Sequence, residues 1–334
     1  MGICSAFDFS DCVKNGHEGW MCNYMKEHKK EYAHKSEFLL RKTKVLESKE
    51  ALKRLGNNFG LTSMSDKFRL RKNVALSLSR HQQVKRPLHL KHIRTTNKDT
   101  LPPIDLRYVN GRNFVSPIKD QGGCGDCFAF SSATVLEYWL NKVSDDSTSL
   151  SPQFLMDCTS GRGRPNVGCD GGLMEYVFEF GKSHPIAYQQ EDQYKERQTK
   201  CPITMKLSHL KVNGYRVLMR ADDANAEDQI ESLLHNYGPV AIGIDSTSMA
   251  MANYRHGVFK AKHCGKDIDH AVTIIGYTED AWIIKNSWGP RWGRNGYLYL
   301  ERGKNACGVA EYLVYITDAE PKNAYMSTHW HFDA

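Results

Sequence analysis

No stretch of this 334-residue chain approaches the roughly 18–20 consecutive apolar residues that cross a bilayer, which excludes a transmembrane helix. A secretory leader needs an apolar core of roughly 7–15 residues. Asp8, Asp11, Lys14 and His17 interrupt Met1 to Gly19, so no such leader is visible. The opening Met1-Gly2-Ile3-Cys4-Ser5-Ala6 starts like an acylation site but has Ala6 where Ser or Thr is required, so lipid attachment is not expected. Asn-x-Ser/Thr sequons are also absent. Acidic residues are missing between Lys67 and Arg94, where nine Lys or Arg lie. Set apart from the 45 Lys and Arg of the chain, those nine leave 36 basic against 38 acidic residues. The formal charge of +7 therefore sits in that stretch, and a basic nucleic-acid-binding face on the main body is excluded.

What is present is ample core material, with 40% hydrophobic and 10% aromatic residues in a length that holds two ordinary domains. Composition changes once, across the basic, His-containing stretch from Arg80 to Lys98, which marks a linker. Upstream, Trp20 to Leu55 contains no Gly or Pro and intersperses Met25, Phe38, Leu39, Val45, Leu46 and Leu52 among charges, which predicts one or two helices. Downstream, Cys127 to Val143 lacks Gly and Pro and places Ala129, Ala133, Leu136 and Leu140 at helical spacing, predicting a buried helix. Short branched and aromatic runs at Val240–Ile244, Ala271–Tyr277, Trp282–Lys285 and Gly296–Leu300 read as antiparallel strands. A helix-rich first half and a strand-rich second half imply an α+β architecture of two lobes with a cleft between them.

Cysteines number ten, and seven of them (Cys124, Cys127, Cys158, Cys169, Cys201, Cys264 and Cys307) follow Leu101. An odd count leaves one thiol over in a disulfide framework, unless all seven are free core residues. Cys127 stands out because the glycine-rich segment Gln121-Gly122-Gly123-Cys124-Gly125-Asp126 puts it at the N-terminus of the predicted helix. Unpaired N–H groups and the helix dipole favour a thiolate there. His270, 143 residues on at the start of a predicted strand, supplies an imidazole to move protons near neutral pH. Asn286 in Lys285-Asn286-Ser287-Trp288-Gly289 can accept from the second ring nitrogen, and Trp288 can shield that bond. The Gln121 side chain and the Cys127 backbone N–H are candidate oxyanion donors. No second Cys or His pair at metal spacing follows Cys124-x-x-Cys127, so neither a metal nor a cofactor is expected.

These segments resemble the papain family of cysteine proteases, and the resemblance runs from Leu101 to about Thr317. It implies a two-lobed papain-like fold, a helical lobe beside an antiparallel β-barrel-like lobe, preceded by a helical propeptide of the cathepsin L type. It also implies a cysteine endopeptidase made as a zymogen, a monomer acting on peptide or protein substrates with its own propeptide as inhibitor. The implied disulfides are Cys124–Cys169, Cys158–Cys201 and Cys264–Cys307. Gly171 and Gly172, in Gly168-Cys169-Asp170-Gly171-Gly172, match the strip that binds extended substrate backbones. Asp269 and Trp288 flank the site. The specificity pocket would be lined by Leu173, Met174, Gly243, Ile268 and Tyr312, favouring a hydrophobic residue just before the residue at the scissile bond.

Two residues depart from the family pattern: Asp126 stands where Ser is usual and Phe128 where Trp is usual. A carboxylate beside the thiol is expected to oppose thiolate formation. In the propeptide, Glu37 and Arg41 fit the family's helix motif, whereas Val45, Ser48 and Gly56 replace its usual later residues. Gly60, Thr62, Met64 and Asp66 follow its second motif in part. The expected organisation is a propeptide and basic activation linker over 1–98, a peptidase domain over 99–317 and a tail over 318–334 that contains His329-x-His331. The resemblance points to a lysosomal or secreted protein. A catalytically weak or inactive papain-fold binding protein is the alternative that Asp126 and Phe128 suggest, and an acyl transferase on the same fold is a third.

Overall fold

A computed structural model describes residues 6–67, 101–202, 205–219 and 226–321. The basic linker with its expected activation cut, Cys4 and the His329-x-His331 pair lie outside the described residues.

Helices fill the N-terminal part and the first half of the main body, and two more lie among the strands of its second half. They are α1 (Phe9–Lys14), α2 (Gly19–His28), α3 (Lys35–Leu52), α4 (Cys127–Ser144), α5 (Pro152–Thr159), α6 (Met174–Ser183), α7 (Ala226–Tyr237) and α8 (Met249–Ala252). Helix α4 is buried along almost its whole length and stops at Asp145, which turns left-handed at φ 56°. Helix α5 starts at Ser151, whose Oγ accepts the Phe154 N–H at 3.0 Å. Phe128, Leu136, Leu140, Phe154 and Phe178 form the core of this lobe.

The second lobe is built on β1 (Ile104–Asp105), β2 (Leu210–Met219), β3 (Val240–Ile244), β4 (His270–Tyr277), β5 (Ala281–Lys285), β6 (Tyr297–Glu301) and β7 (Tyr312–Pro321). All pairings are antiparallel, the order is β2-β7-β3-β4-β5-β6, and β1 joins β4 off that path. The strands expected at Val240–Ile244, Ala271–Tyr277, Trp282–Lys285 and Gly296–Leu300 fall on β3 to β6 with ends within one residue. The expected antiparallel sheet is present without closing into a full barrel: β2 pairs with β7 and β6 with β5, and among the described residues these two edge strands do not pair with each other. Strand β2 leaves most of its residues half-exposed, so no apolar face demands closure there. Strand β7 also runs past residue 317: Glu320 pairs with Lys211 in the ladder and by an ion pair of 3.0 Å, which places residues 318–321 in the sheet rather than in a tail.

The region upstream of the linker forms two main helices, as its pattern predicts, plus the short α1. The break between α2 and α3 begins at Lys29, left-handed at φ 48°, and ends where His34 Nδ1 accepts the Glu37 N–H at 3.2 Å. A Cys12–Cys22 disulfide ties α1 to α2, a link the sequence reading does not contain. Phe7, Met21, Tyr24, Met25, Phe38 and Val45 make a small separate core. Beneath it Lys30 and Asp66 form a buried ion pair of 2.9 Å, and the Tyr24 and Tyr32 hydroxyls both donate to that carboxylate at 3.0 Å. The segment 58–66 then lies on the main body. The Gly60 N–H donates to the Asn253 carbonyl at 2.9 Å, the Ser65 hydroxyl to Asn253 Oδ1 at 2.7 Å, and Met64 is buried in the core cluster of the second lobe.

Removing one member of a buried ion pair costs about 3–5 kcal/mol, because the other charge is left without compensation. Asp66→Ala is therefore expected to strip amide-exchange protection from α2 and α3 while β3 to β5 keep theirs. Unchanged protection in both helices would contradict this account of the N-terminal core.

Candidate active site

The first half of the site is the loop that leads into α4. Gly122 adopts φ +55°, and a side chain on it would run into the Glu196 carboxyl group, so this tight turn requires glycine. Asp120 Oδ1 accepts the Gly122 N–H at 2.9 Å and Glu196 Oε2 accepts the Gly123 N–H at 3.0 Å. Disulfides join Cys124 to Cys169, Cys158 to Cys201 and Cys264 to Cys307. Cys127 is the one cysteine outside a disulfide among the described residues, and it is buried at the first position of α4.

The second half comes from the sheet. Strand β4 packs along α4: the Ser131 hydroxyl donates to the Val272 carbonyl at 2.7 Å, and the Thr273 hydroxyl donates back to the Ser131 carbonyl at 3.1 Å. This register brings the Ala271 N–H to 3.3 Å from Cys127 Sγ and puts His270 at the strand's first position beside it. His270 Nε2 lies 2.8 Å from Asn286 Oδ1, so the imidazole that donates to this amide oxygen carries its proton there. Trp288 stacks over the His270 ring, with centroids 4.8 Å apart and planes at 23°. His270, Asn286 and Trp288 are all buried, so little water reaches this hydrogen bond.

Gln121 is also fully buried. Its Nε2 donates to the Cys124 carbonyl at 2.9 Å, which uses one of two amide protons, and its Oε1 accepts the Ser287 hydroxyl. The Ser287 N–H donates to Asn286 Oδ1 at 2.8 Å. Ser287 thus links the two amide side chains, a role the sequence reading missed although the residue lies inside the quoted motif. Behind the site, Lys285 Nζ donates to Ser116 Oγ at 2.6 Å, and Ser116 and Lys119 both bond Glu137 of α4. Burial pushes Lys285 down to about 7 against the pull of Glu137.

The remaining residues divide. Gly171 is at φ +113°, a conformation that favours glycine, and a side chain on Gly172 would meet Asn166 at 2.4 Å. Leu173, Met174 and Tyr312 share one core cluster, with Ile268 packed on its edge, and Gly243 faces Ala271 across the β3–β4 ladder. Tyr312 is buried and its hydroxyl donates to Glu175, a partner no sequence signal indicated. Asp269 accepts the Ser246 N–H at 2.7 Å and its hydroxyl at 3.2 Å. That engagement makes it a brace for the turn before β4.

The family model for papain family cysteine proteases matches residues 102–317. The chain belongs to the papain family of cysteine proteases. It is 37% identical over 245 residues to cysteine endopeptidase RepA of Oryza sativa subsp. japonica, an alignment covering 69% of this chain and 61% of that one. The proform of the ragweed pollen cysteine protease Amb a 11 superimposes with a TM-score of 0.72 at 28% identity, over 89% of this chain and 93% of that one. The Carica candamarcensis cysteine protease CMS1MS2, solved in complex with E-64, gives 0.56 at 34% identity over 67% of this chain and all of that one. The first of these structures shares with this chain the helical region that precedes the family domain.

A misplacement of about 1 Å at a reacting group can cost on the order of 10²-fold in rate. Asn286→Ala frees the His270 ring and is expected to lower kcat for peptide hydrolysis by about that factor while Cys127 still reacts with a small alkylating agent. Loss of alkylation together with activity would mean instead that the loop around Cys127 had collapsed.

Proposed function

We propose that this family member is a cysteine endopeptidase held as a zymogen by its own N-terminal segment. Cys127 Sγ attacks the scissile carbonyl carbon, forming a C–S bond and an oxyanion, which takes donors from the Cys127 N–H and the second Gln121 amide proton. Imidazolium His270 gives its proton to the departing amine as the C–N bond breaks. Water then attacks the thioester while His270 takes a proton from it, and breaking the C–S bond returns the thiolate. Asn286 keeps the imidazole in one tautomer throughout. The observation that carries this reading is Cys127, outside any disulfide at a helix N-terminus, 3.3 Å from the backbone nitrogen next to His270, whose ring is tied to Asn286 at 2.8 Å.

Leu173, Met174, Gly243, Ile268 and Tyr312 form the specificity pocket in this reading and favour a hydrophobic side chain. Tyr312, whose hydroxyl bonds Glu175, makes this pocket shallow in the same reading. The enzyme acts as a monomer within protein chains, in a lysosomal or extracellular setting, after a cut in the basic linker leaves a mature chain that begins near Leu101.

Acid release of the N-terminal segment has a specific support in His28. This residue is buried in α2, neither ring nitrogen has a hydrogen-bond partner, and the Glu27 carboxylate is 3.9 Å away. Burial first, and then the cations Lys30, Arg291 and Arg255, push it down to about 4. Its folded value lies below the free value near 6.5, so its full contribution to the closed state is present above 6.5 and is lost as pH falls through about 4.

Incubating the full chain with a thiol-directed epoxide tests the enzyme reading. Cys127 should be modified alone after acid treatment, and Cys127→Ala should neither react nor hydrolyse peptides. An unlabelled Cys127 would favour the binding-protein alternative. His28→Gln removes the titrating group, so labelling of the full chain should depend less steeply on pH between about 6.5 and 4 than in the wild type. Identical profiles would remove His28 from the account.

A further inference from the structure

Asp126, directly before Cys127, occupies the N-cap position of α4 and is fully buried, yet its side chain makes no capping bond to the helix. Its Oδ1 accepts instead from the Tyr194 hydroxyl at 2.8 Å. The same hydroxyl is 3.0 Å from the backbone carbonyl of Gln121, which otherwise accepts the Cys124 N–H at 3.3 Å. Tyr194 is well fixed: its ring meets Phe130 edge-on at 4.9 Å, and the next residue's N–H donates to Gln153 Oε1 at 2.9 Å.

A phenol has one proton to donate and reaches two oxygens here. With Asp126 ionised, that proton goes to the carboxylate. Once Asp126 takes up a proton from solvent it becomes a donor to the Tyr194 oxygen, and the phenolic proton turns to the Gln121 carbonyl. The two states therefore differ in what holds the Gln121 peptide, and Gln121 carries the amide assigned above to the oxyanion. Other groups brought to this loop are Asp120 on Gly122 N–H, Glu196 on Gly123 N–H, and the Cys127 and His270 pair itself.

We propose that Asp126 and Tyr194 form a proton-dependent positioning pair for Gln121, so that protonation of Asp126 changes the placement of the oxyanion donor. This inference rests on the endopeptidase reading. It also replaces the expectation that Asp126 acts only as a charge opposing the thiolate: both residues act through Gln121, and neither touches substrate.

The test compares acid-activated full-length wild type, Asp126→Asn, Asp126→Ser and Tyr194→Phe by peptide hydrolysis across pH. In parallel, the pH dependence of Cys127 alkylation reports the thiolate alone. The wild-type kcat profile should contain an ionisation that both Asp126→Asn and Tyr194→Phe remove, with KM little changed and kcat of Tyr194→Phe lowered about tenfold. In the Asp126→Ser/Tyr194→Phe double variant the losses should not multiply, as expected of residues acting as one unit. A Tyr194→Phe profile that keeps the wild-type ionisation overturns the proposal. So do Asp126 variants whose only change is the alkylation midpoint, since that is the signature of a bare charge on the thiol. Should Tyr194→Phe fail to fold, the Asp126→Asn and Asp126→Ser comparison decides alone. Both must lose the ionisation, but only the amide, which can still accept from Tyr194, should keep kcat near the wild-type plateau. A wild-type chain that neither hydrolyses peptide nor takes the epoxide overturns the endopeptidase reading and this proposal together, whereas an active wild type with unaffected variants sinks the proposal alone.

Discussion

The whole site depends on the place where the N-terminus of α4 meets the first residues of β4. The 3.3 Å contact from the Ala271 N–H to Cys127 Sγ exists because the strand lies along the helix in a fixed register, set by the paired Ser131 and Thr273 bonds. Side chains alternate faces along a strand, so a slip of one residue would turn His270 away from the sulfur. The thiol also faces the positive end of an 18-residue helix whose first N–H groups have no helical partner. Helix electrostatics and strand register thus act on one atom, each supplied by a different lobe.

Behind that contact the lobes are joined by charges as well as by apolar packing. Glu137 of α4, Lys119 of the loop before it, Ser116, and Lys285 at the end of β5 form one buried network. Burying such groups is costly unless every member is bonded, and replacing the set with apolar residues would cost the fold little. What the network adds is direction, because Lys285 precedes Asn286 and Lys119 lies two residues before Gln121. Hydrogen bonds of fixed geometry therefore hold the segments carrying both amides against the helix that carries the thiol.

The parts of this arrangement readable in the sequence were those with a strong local pattern. Strands β3 to β5 are buried at every position, and their branched, aromatic runs stand out against glycine-containing turns. Strand β2 was invisible because Lys211, Asn213, Gly214 and Arg216 interrupt it, and its register shifts beside Gly214. Strand β7 was hidden by its end, Asp318 to Pro321, which read as the start of a tail. The loop before Cys127 announced itself through its glycines. Its partners did not: Tyr194 reaches Asp126 from 68 residues away and Ser287 reaches Gln121 from 166, and pattern along a chain carries no information about contacts at that separation.

The N-terminal segment touches the main body near the imidazole. The Ser63 hydroxyl donates to the Trp288 carbonyl at 3.4 Å and Met64 is buried against the Trp288 cluster, while the Trp288 ring stacks on His270. Asp66, two residues on, anchors this segment to Lys30, Tyr24 and Tyr32 in the small helical core. A path of packed groups thus runs from the ion pair under α2 to the ring that shields the His270–Asn286 bond. With so few buried residues of its own, that helical core depends on the Cys12–Cys22 link and on the surface it covers. Loosening it therefore also loosens the segment whose Ser63 hydroxyl bonds the Trp288 carbonyl, and with it the packing around the imidazole.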